Sequence, residues 1–257
     1  MTTEFQHPKP ILEVCCGDIQ SIYAAKTGGA HRIELCSALS EGGVTPSAGL
    51  IREAVSSGIP AVHILIRPRG GDFLYSEDEI RLMETDIRCA VSSGVDGVVI
   101  GALTSDGDID MTTCRRLIET VGDCSVTFHR AFDLCRNPQK ALEDIISLGC
   151  DRILTSGLAR SAMEGAETLR WLNRQAAGRI ILLAGGGVTP DNAREILSST
   201  GLNELHASAK TSVASAMTFR RQSVCMGTPD KDEYIRTVTD AATVASIISA
   251  ISGCAQQ

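Results

Sequence analysis

Gly29-Ala30-His31-Arg32-Ile33, Gly94-Val95-Asp96-Gly97-Val98, Gly149-Cys150-Asp151-Arg152-Ile153 and Gly201-Leu202-Asn203-Glu204-Leu205 are four versions of one phrase. In each, the glycine stands where a helix would end in a left-handed cap, and the polar residue two places on makes the turn into a strand. Working outward, short β-rich runs recur at 11–15, 32–36, 61–67, 97–100, 125–129, 152–155, 180–184 and 204–207. The phrase enters the second, fourth, sixth and eighth of these. Between the runs lie stretches with helical spacing, such as 77–92, 111–121 and 138–148, so strand and helix alternate from end to end. Strict alternation implies a parallel sheet, and two βα units run four times close naturally as a single (β/α)8 TIM barrel of the α/β class. The competing architecture is an open, doubly wound sheet.

A length of 257 residues suits one complete barrel. No Pro- or Gly-rich linker divides the chain, so the expectation is one domain over 1–257, with 1–10 as a flexible N-terminal segment. Residues 208–239 break the rhythm as a long loop after the last strand. This loop contains Arg220-Arg221 and Met226-Gly227, and it is expected to fold over the barrel mouth or into a subunit contact before a final helix over 241–251.

Hydrophobic residues make up 43% and charged residues 21%, enough apolar material for a core. The net charge of -7 argues against nucleic acid or an anionic membrane surface as partner. No apolar run approaches the roughly 20 residues of a membrane span, and 1–10 lacks the basic-then-apolar order of a signal peptide. The expected location is cytoplasmic. None of the ten cysteines forms a C-x-x-C pair, which leaves reduced thiols as the reading rather than a disulfide framework or zinc ribbon. For Cys89, Cys114, Cys150 and Cys254, on or beside helices, the role of small core hydrophobe is favoured.

Side chains alternate faces along a strand, and in a barrel the two faces are the helix layer and the interior. Glu13 and Cys15 oppose Leu12 and Val14; Arg32, Glu34 and Cys36 oppose Ile33 and Leu35. His63 and Arg67 oppose Val62, Ile64 and Ile66; Thr127 and His129 oppose Val126 and Phe128; Glu204 and His206 oppose Leu205 and Ala207. Five strands thus send polar groups inward, although parallel strands normally read as continuous Val, Ile and Leu. An unpaired buried polar group costs about 1–3 kcal/mol, so such a ring persists if its members pair or serve a ligand.

Pairing would be an ion network in which Arg32 and Arg67 neutralise Glu13, Glu34 and Glu204. Ligand service would make Glu13, Glu34, His63, His129 and His206 acid/base groups, with Arg32, Arg67 and Glu204 as binding groups. His7 and His31 fall outside the ring. Cys15 and Cys36 end neighbouring strands on one face, and two soft thiolates suit Cu(I), with a small core hydrophobe as the alternative for each. Two loops add binding candidates. Arg67-Pro68-Arg69-Gly70-Gly71-Asp72-Phe73 offers Arg69 and Asp72 beside flexible glycines. Gly185, Gly186 and Gly187, with Ser208 and Lys210, follow the last two strands, where barrels often hold phosphate.

Several of these residues fall in longer motifs: Leu12-Glu13-Val14-Cys15; Arg32-Ile33-Glu34-Leu35-Cys36 followed by Glu41-Gly42-Gly43 and Thr45-Pro46-Ser47; 66–72; Val126-Thr127-Phe128-His129-Arg130-Ala131-Phe132-Asp133; and Leu154-Thr155-Ser156-Gly157. Together and in this order they resemble the CutC copper-homeostasis family from about 11 to 251. The resemblance implies a cytoplasmic (β/α)8 barrel, a homo-oligomer (dimer or tetramer), and copper as Cu(I), bound by Cys15 and Cys36. One departure is His31, where the family usually carries Asp. Three functions therefore compete: Cu(I) binding or trafficking, acid/base catalysis on a small anionic ligand bearing phosphate or carboxylate, and a purely structural barrel.

Overall fold

In a computed structural model describing residues 9–221, 223, 224, 226 and 232–253, eight parallel strands pair in sequence order and close into a barrel. They are β1 (Ile11–Cys16), β2 (Arg32–Leu35), β3 (Val62–Leu65), β4 (Gly97–Ile100), β5 (Ser125–Phe128), β6 (Arg152–Thr155), β7 (Ile181–Gly185) and β8 (Glu204–Ala207). Around them run α1 (Ile19–Thr27), α2 (Ala48–Ser56), α3 (Glu77–Ser92), α4 (Met111–Val121), α5 (Pro138–Ser147), α6 (Ala166–Ala176), α7 (Ala193–Thr200) and α8 (Ala241–Ser252). The (β/α)8 expectation holds, and the open sheet is excluded because β8 pairs with β1, Glu13 opposite His206.

Most helices begin on a polar cap. Asp18, Ser47, Ser76, Asp110, Asn137 and Asp240 each accept a first-turn N–H, which satisfies a donor the helix itself cannot pair. The main core lies between strands and helices, where Leu12, Ile33, Ile64, Ile100, Phe128 and Leu205 are fully buried. Their opposite-parity neighbours line the interior, as alternation requires.

The repeated phrase does more than turn the chain. The Asp96 carboxylate accepts the Val62 N–H (2.8 Å), and the Asp151 carboxylate accepts the Val126 N–H (2.7 Å). The turn entering an even strand thus pairs a backbone N–H on the preceding odd strand. His31 fills the same place with a ring nitrogen, accepting the Leu12 N–H at 3.1 Å.

The 208–239 segment is not simply a loop. It contains an antiparallel pair, β9 (Lys210–Ala214) and β10 (Ile235–Thr239), rooted beside α1 where the Thr239 N–H donates to Ser21 Oγ at 3.0 Å. The expected flexible segment 1–10, apart from Lys9 and Pro10, lies outside the described residues, as do His7, Gly227 and Cys254. The eight cysteines among the described residues are free; Cys114 and Cys150 are buried as expected, but Cys89 is exposed on α3.

Candidate functional site

Arg32 anchors the lower half of the interior. Its Nε donates to Glu13, and its Nη2 donates to Glu204 at 2.5 Å. Arg152 reaches Glu204 from β6 at 3.1 Å and donates to Ser125 Oγ at 2.7 Å. Glu13 is paired a second time, since its Oε1 lies 2.7 Å from His206 Nδ1. Burial alone would raise the Glu13 carboxyl, but Arg32 and then His206 outweigh it and hold the group well below the usual carboxylate range. For His206 burial opposes the cation, yet Cys15, Glu13 and Glu34 together raise its pKa well above that of ordinary imidazole.

Above this network stands the thiol pair. Cys15 lies opposite Glu34 across β1 and β2, and Cys36 follows two residues after Glu34 on the same face. The register brings Cys15 Sγ and Cys36 Sγ to 3.4 Å, and a carboxylate oxygen of Glu34 joins them with all three ligand atoms within 4.8 Å of one another. Leu65 and Val99 form a buried apolar pad against the sulfurs, with Leu39 packed on it. The neighbouring Cys36 thiol, together with burial, raises the Cys15 pKa well above its ordinary value. Burial likewise raises Glu34, with His206 pulling the other way. His206 Nε2 stands 3.8 Å from Glu34 Oε2, so the thiol site and the ion network share one imidazole.

The far wall is built on inward glycines. A Cβ at Gly97 would lie 2.7 Å from the His63 ring, and one at Gly101 would lie 2.5 Å from the His129 ring. The missing side chains on β4 and at the residue that follows it leave the space the two imidazoles occupy. Burial lowers the pKa of His63 to about 4 and of His129 to about 3, so both are neutral at ordinary pH. His63 Nδ1, Thr127 Oγ1 and His129 Nε2 are buried without a hydrogen-bond partner among the described residues.

The ring predicted from parity therefore converges, but with a different pairing. Among the described residues Arg67 neutralises no glutamate; it donates to the backbone carbonyls of Glu41, Gly43 and Gly71. Arg32 pairs as expected, and the second neutralising cation is Arg152, which the same parity rule could have supplied, since it opposes Ile153 on β6. Arg69 and Asp72 pair with each other at 3.0 Å on the mouth loop, and Arg69 also meets Glu79 at 2.5 Å. At the other rim Gly185 packs closely on Leu154 and His206, and Gly186 and Gly187 adopt positive φ of 100° and 73°. The Ser208 carbonyl accepts the Thr239 hydroxyl at 3.3 Å, and Lys210 is exposed on β9.

Sequence reasoning also missed Asp133, which accepts from Thr155 Oγ1 (2.5 Å), the Ser156 N–H and Arg130 Nε (2.7 Å) and so ties the β5 and β6 rims together. It lies beyond the strand, where alternation gives no signal.

The model of the CutC family matches residues 10–211. The chain belongs to the CutC family. Among curated CutC proteins it is 51% identical over 244 residues to one from Bacteroides thetaiotaomicron, covering 93% of this chain and 97% of that one. With the CutC protein of Chromobacterium violaceum it shares 49% over 241 residues, 94% of this chain and 98% of that one. The crystal structure of the "putative copper homeostasis protein CutC" from Streptococcus agalactiae superposes with a TM-score of 0.74 at 33% identity, covering 77% of this chain and 98% of that one. No helix among the described residues of this CutC chain is long and apolar enough to cross a membrane.

Proposed function

We propose that this CutC protein serves copper homeostasis by carrying Cu(I) on the thiolates of Cys15 and Cys36, with Glu34 as a third, weaker donor. The supporting observation is the 3.4 Å approach of two buried sulfurs beside a carboxylate. The donor set fits the cargo: thiolates are soft and select Cu(I), and the Leu65 and Val99 pad keeps water from competing. Charge also fits, because His206, raised toward the cationic form, offsets the negative charge two thiolates would carry. The assignment of the S. agalactiae relative to copper homeostasis points the same way. The cytoplasmic location and homo-oligomer implied by the resemblance belong to this proposal.

The test is titration of the reduced protein with Cu(I) against a chromophoric competitor. Wild type should hold one Cu(I) per chain, and Cys15→Ser/Cys36→Ser should lose it. An unchanged affinity in the double variant overturns the site.

A further inference from the structure

We propose that the barrel mouth beside β3 and β5 binds a small carboxylate at a site built around Arg67, which adjoins the thiol pair where Gly43 packs against Cys36 but uses neither sulfur. Arg67 is 6% exposed. Its Nη1 donates to the carbonyls of Glu41 and Gly43, both at 2.8 Å, and its Nη2 to that of Gly71 at 2.7 Å. Gly42, Gly43 and Gly71 hold those loops in left-handed conformations, with φ of 81°, 89° and 86°. The cage is made of carbonyls alone: among the described residues no carboxylate forms an ion pair with Arg67, whereas Arg32 meets two. A guanidinium keeps its charge when buried, and a buried charge without a counter-charge is costly, so the cage favours an anion beside it.

Two neighbours add donors. His129, 5% exposed, accepts the Ala131 N–H on Nδ1 at 3.1 Å, which fixes its proton on Nε2. Among the described residues that Nε2–H has no acceptor, and neither does Arg67 Nε–H. The buried Tyr75 hydroxyl is the third group with no well-formed hydrogen bond among the described residues, and the neighbouring Arg67 side chain, by its charge and by a hydrogen bond to the phenol oxygen, acts against the burial that raises its pKa to about 12, which leaves the Tyr75 O–H free to donate. Phe73 packs against both other residues, its centroid 5.0 Å from Arg67 Cζ and 4.8 Å from the His129 ring. Three directional donors and one positive charge thus lie about Arg67 and the Phe73 ring. A carboxylate supplies one negative charge and two oxygens with about four acceptor positions. A phosphate dianion would leave a negative charge unneutralised in a buried place, and chloride would not exploit three directional donors.

The test uses reduced full-length protein titrated at constant ionic strength with formate, acetate, inorganic phosphate and chloride. Thermal midpoint and the 15N resonance of His129 Nε2 are the readouts. Formate and acetate should raise the midpoint and move the resonance, while phosphate and chloride should do neither. Tyr75→Phe, which removes one oxygen, should weaken acetate binding by about tenfold. Arg67→Met should abolish it, and if that variant does not fold, Tyr75→Phe and the His129 resonance still decide. No response to either carboxylate, an equal response to phosphate or chloride, or an undiminished response in Tyr75→Phe overturns the proposal. The Cys15→Ser/Cys36→Ser variant should still respond, which separates failure of this site from failure of the copper site; loss of the response there would overturn their independence.

Discussion

Burial takes the charge off His129 and His63, with a neighbouring cation adding to it at His129 and neighbours of both signs acting at His63. Desolvation is the larger cause for both; Arg67 adds to it at His129, while at His63 Arg32 and Arg152 lower the pKa and Glu13 and Asp96 raise it. Each folded pKa, about 3 and about 4, lies below the ordinary 6.5. The neutral form is therefore the one the fold accommodates. The stability these groups support is fully present above pH 6.5 and is lost as pH falls from there toward 4 and 3. Histidine NMR should find neither imidazole titrating between pH 5 and 8, and urea unfolding should show stability dropping below pH 6.5, less so in His63→Gln. A midpoint near 6.5 for either ring would contradict the burial. Parity alone placed both rings inward, but not their protonation, because that depends on Gly97 and Gly101 admitting the rings into a closed wall.

The four-part phrase was legible as punctuation and sufficed to count the strands; its second role was not. Whether a turn residue reaches a neighbouring strand depends on register, which exists only once β1 has met β2 and β3 has met β4. With the register known, the phrase becomes a set of edge clamps. Asp151 accepts from both the Val126 N–H (2.7 Å) and Ser125 Oγ (2.9 Å), so Asp151→Ala should cost about 1 kcal/mol in chemical denaturation. At His31 the same position is filled by imidazole, so His31→Asp should keep the Leu12 bond and fold with unchanged stability. Equal stability of wild type and Asp151→Ala would reduce the phrase to turn-making. Arg67 illustrates the opposite limit. Its partners are carbonyls presented by glycine turns in two loops, and no strand periodicity encodes where a carbonyl will point.

Across the whole barrel, one chain of buried charge joins four strands: Arg152 on β6, Glu204 on β8, Arg32 on β2 and Glu13 on β1, ending on His206 at the thiol site. Most of a barrel interior can be filled by branched apolar side chains, so this chain contributes position more than net stability. Its members are mutually dependent, however. Arg32→Met would leave Glu13 to His206 alone and Glu204 to Arg152 alone, and the expected loss is about 3–5 kcal/mol, measured by denaturant unfolding. Replacing Glu13, Arg32 and Glu204 together by Met should recover much of that loss, since the desolvation cost disappears along with the pairing. A single variant as stable as wild type would mean that the glutamates find water or another cation, and that the interior is wetter than its burial implies. The triple variant also isolates the role of position. His206 would lose its Glu13 partner, so a copper affinity that falls while stability recovers would assign the network to holding that imidazole beside the sulfurs rather than to holding the barrel closed.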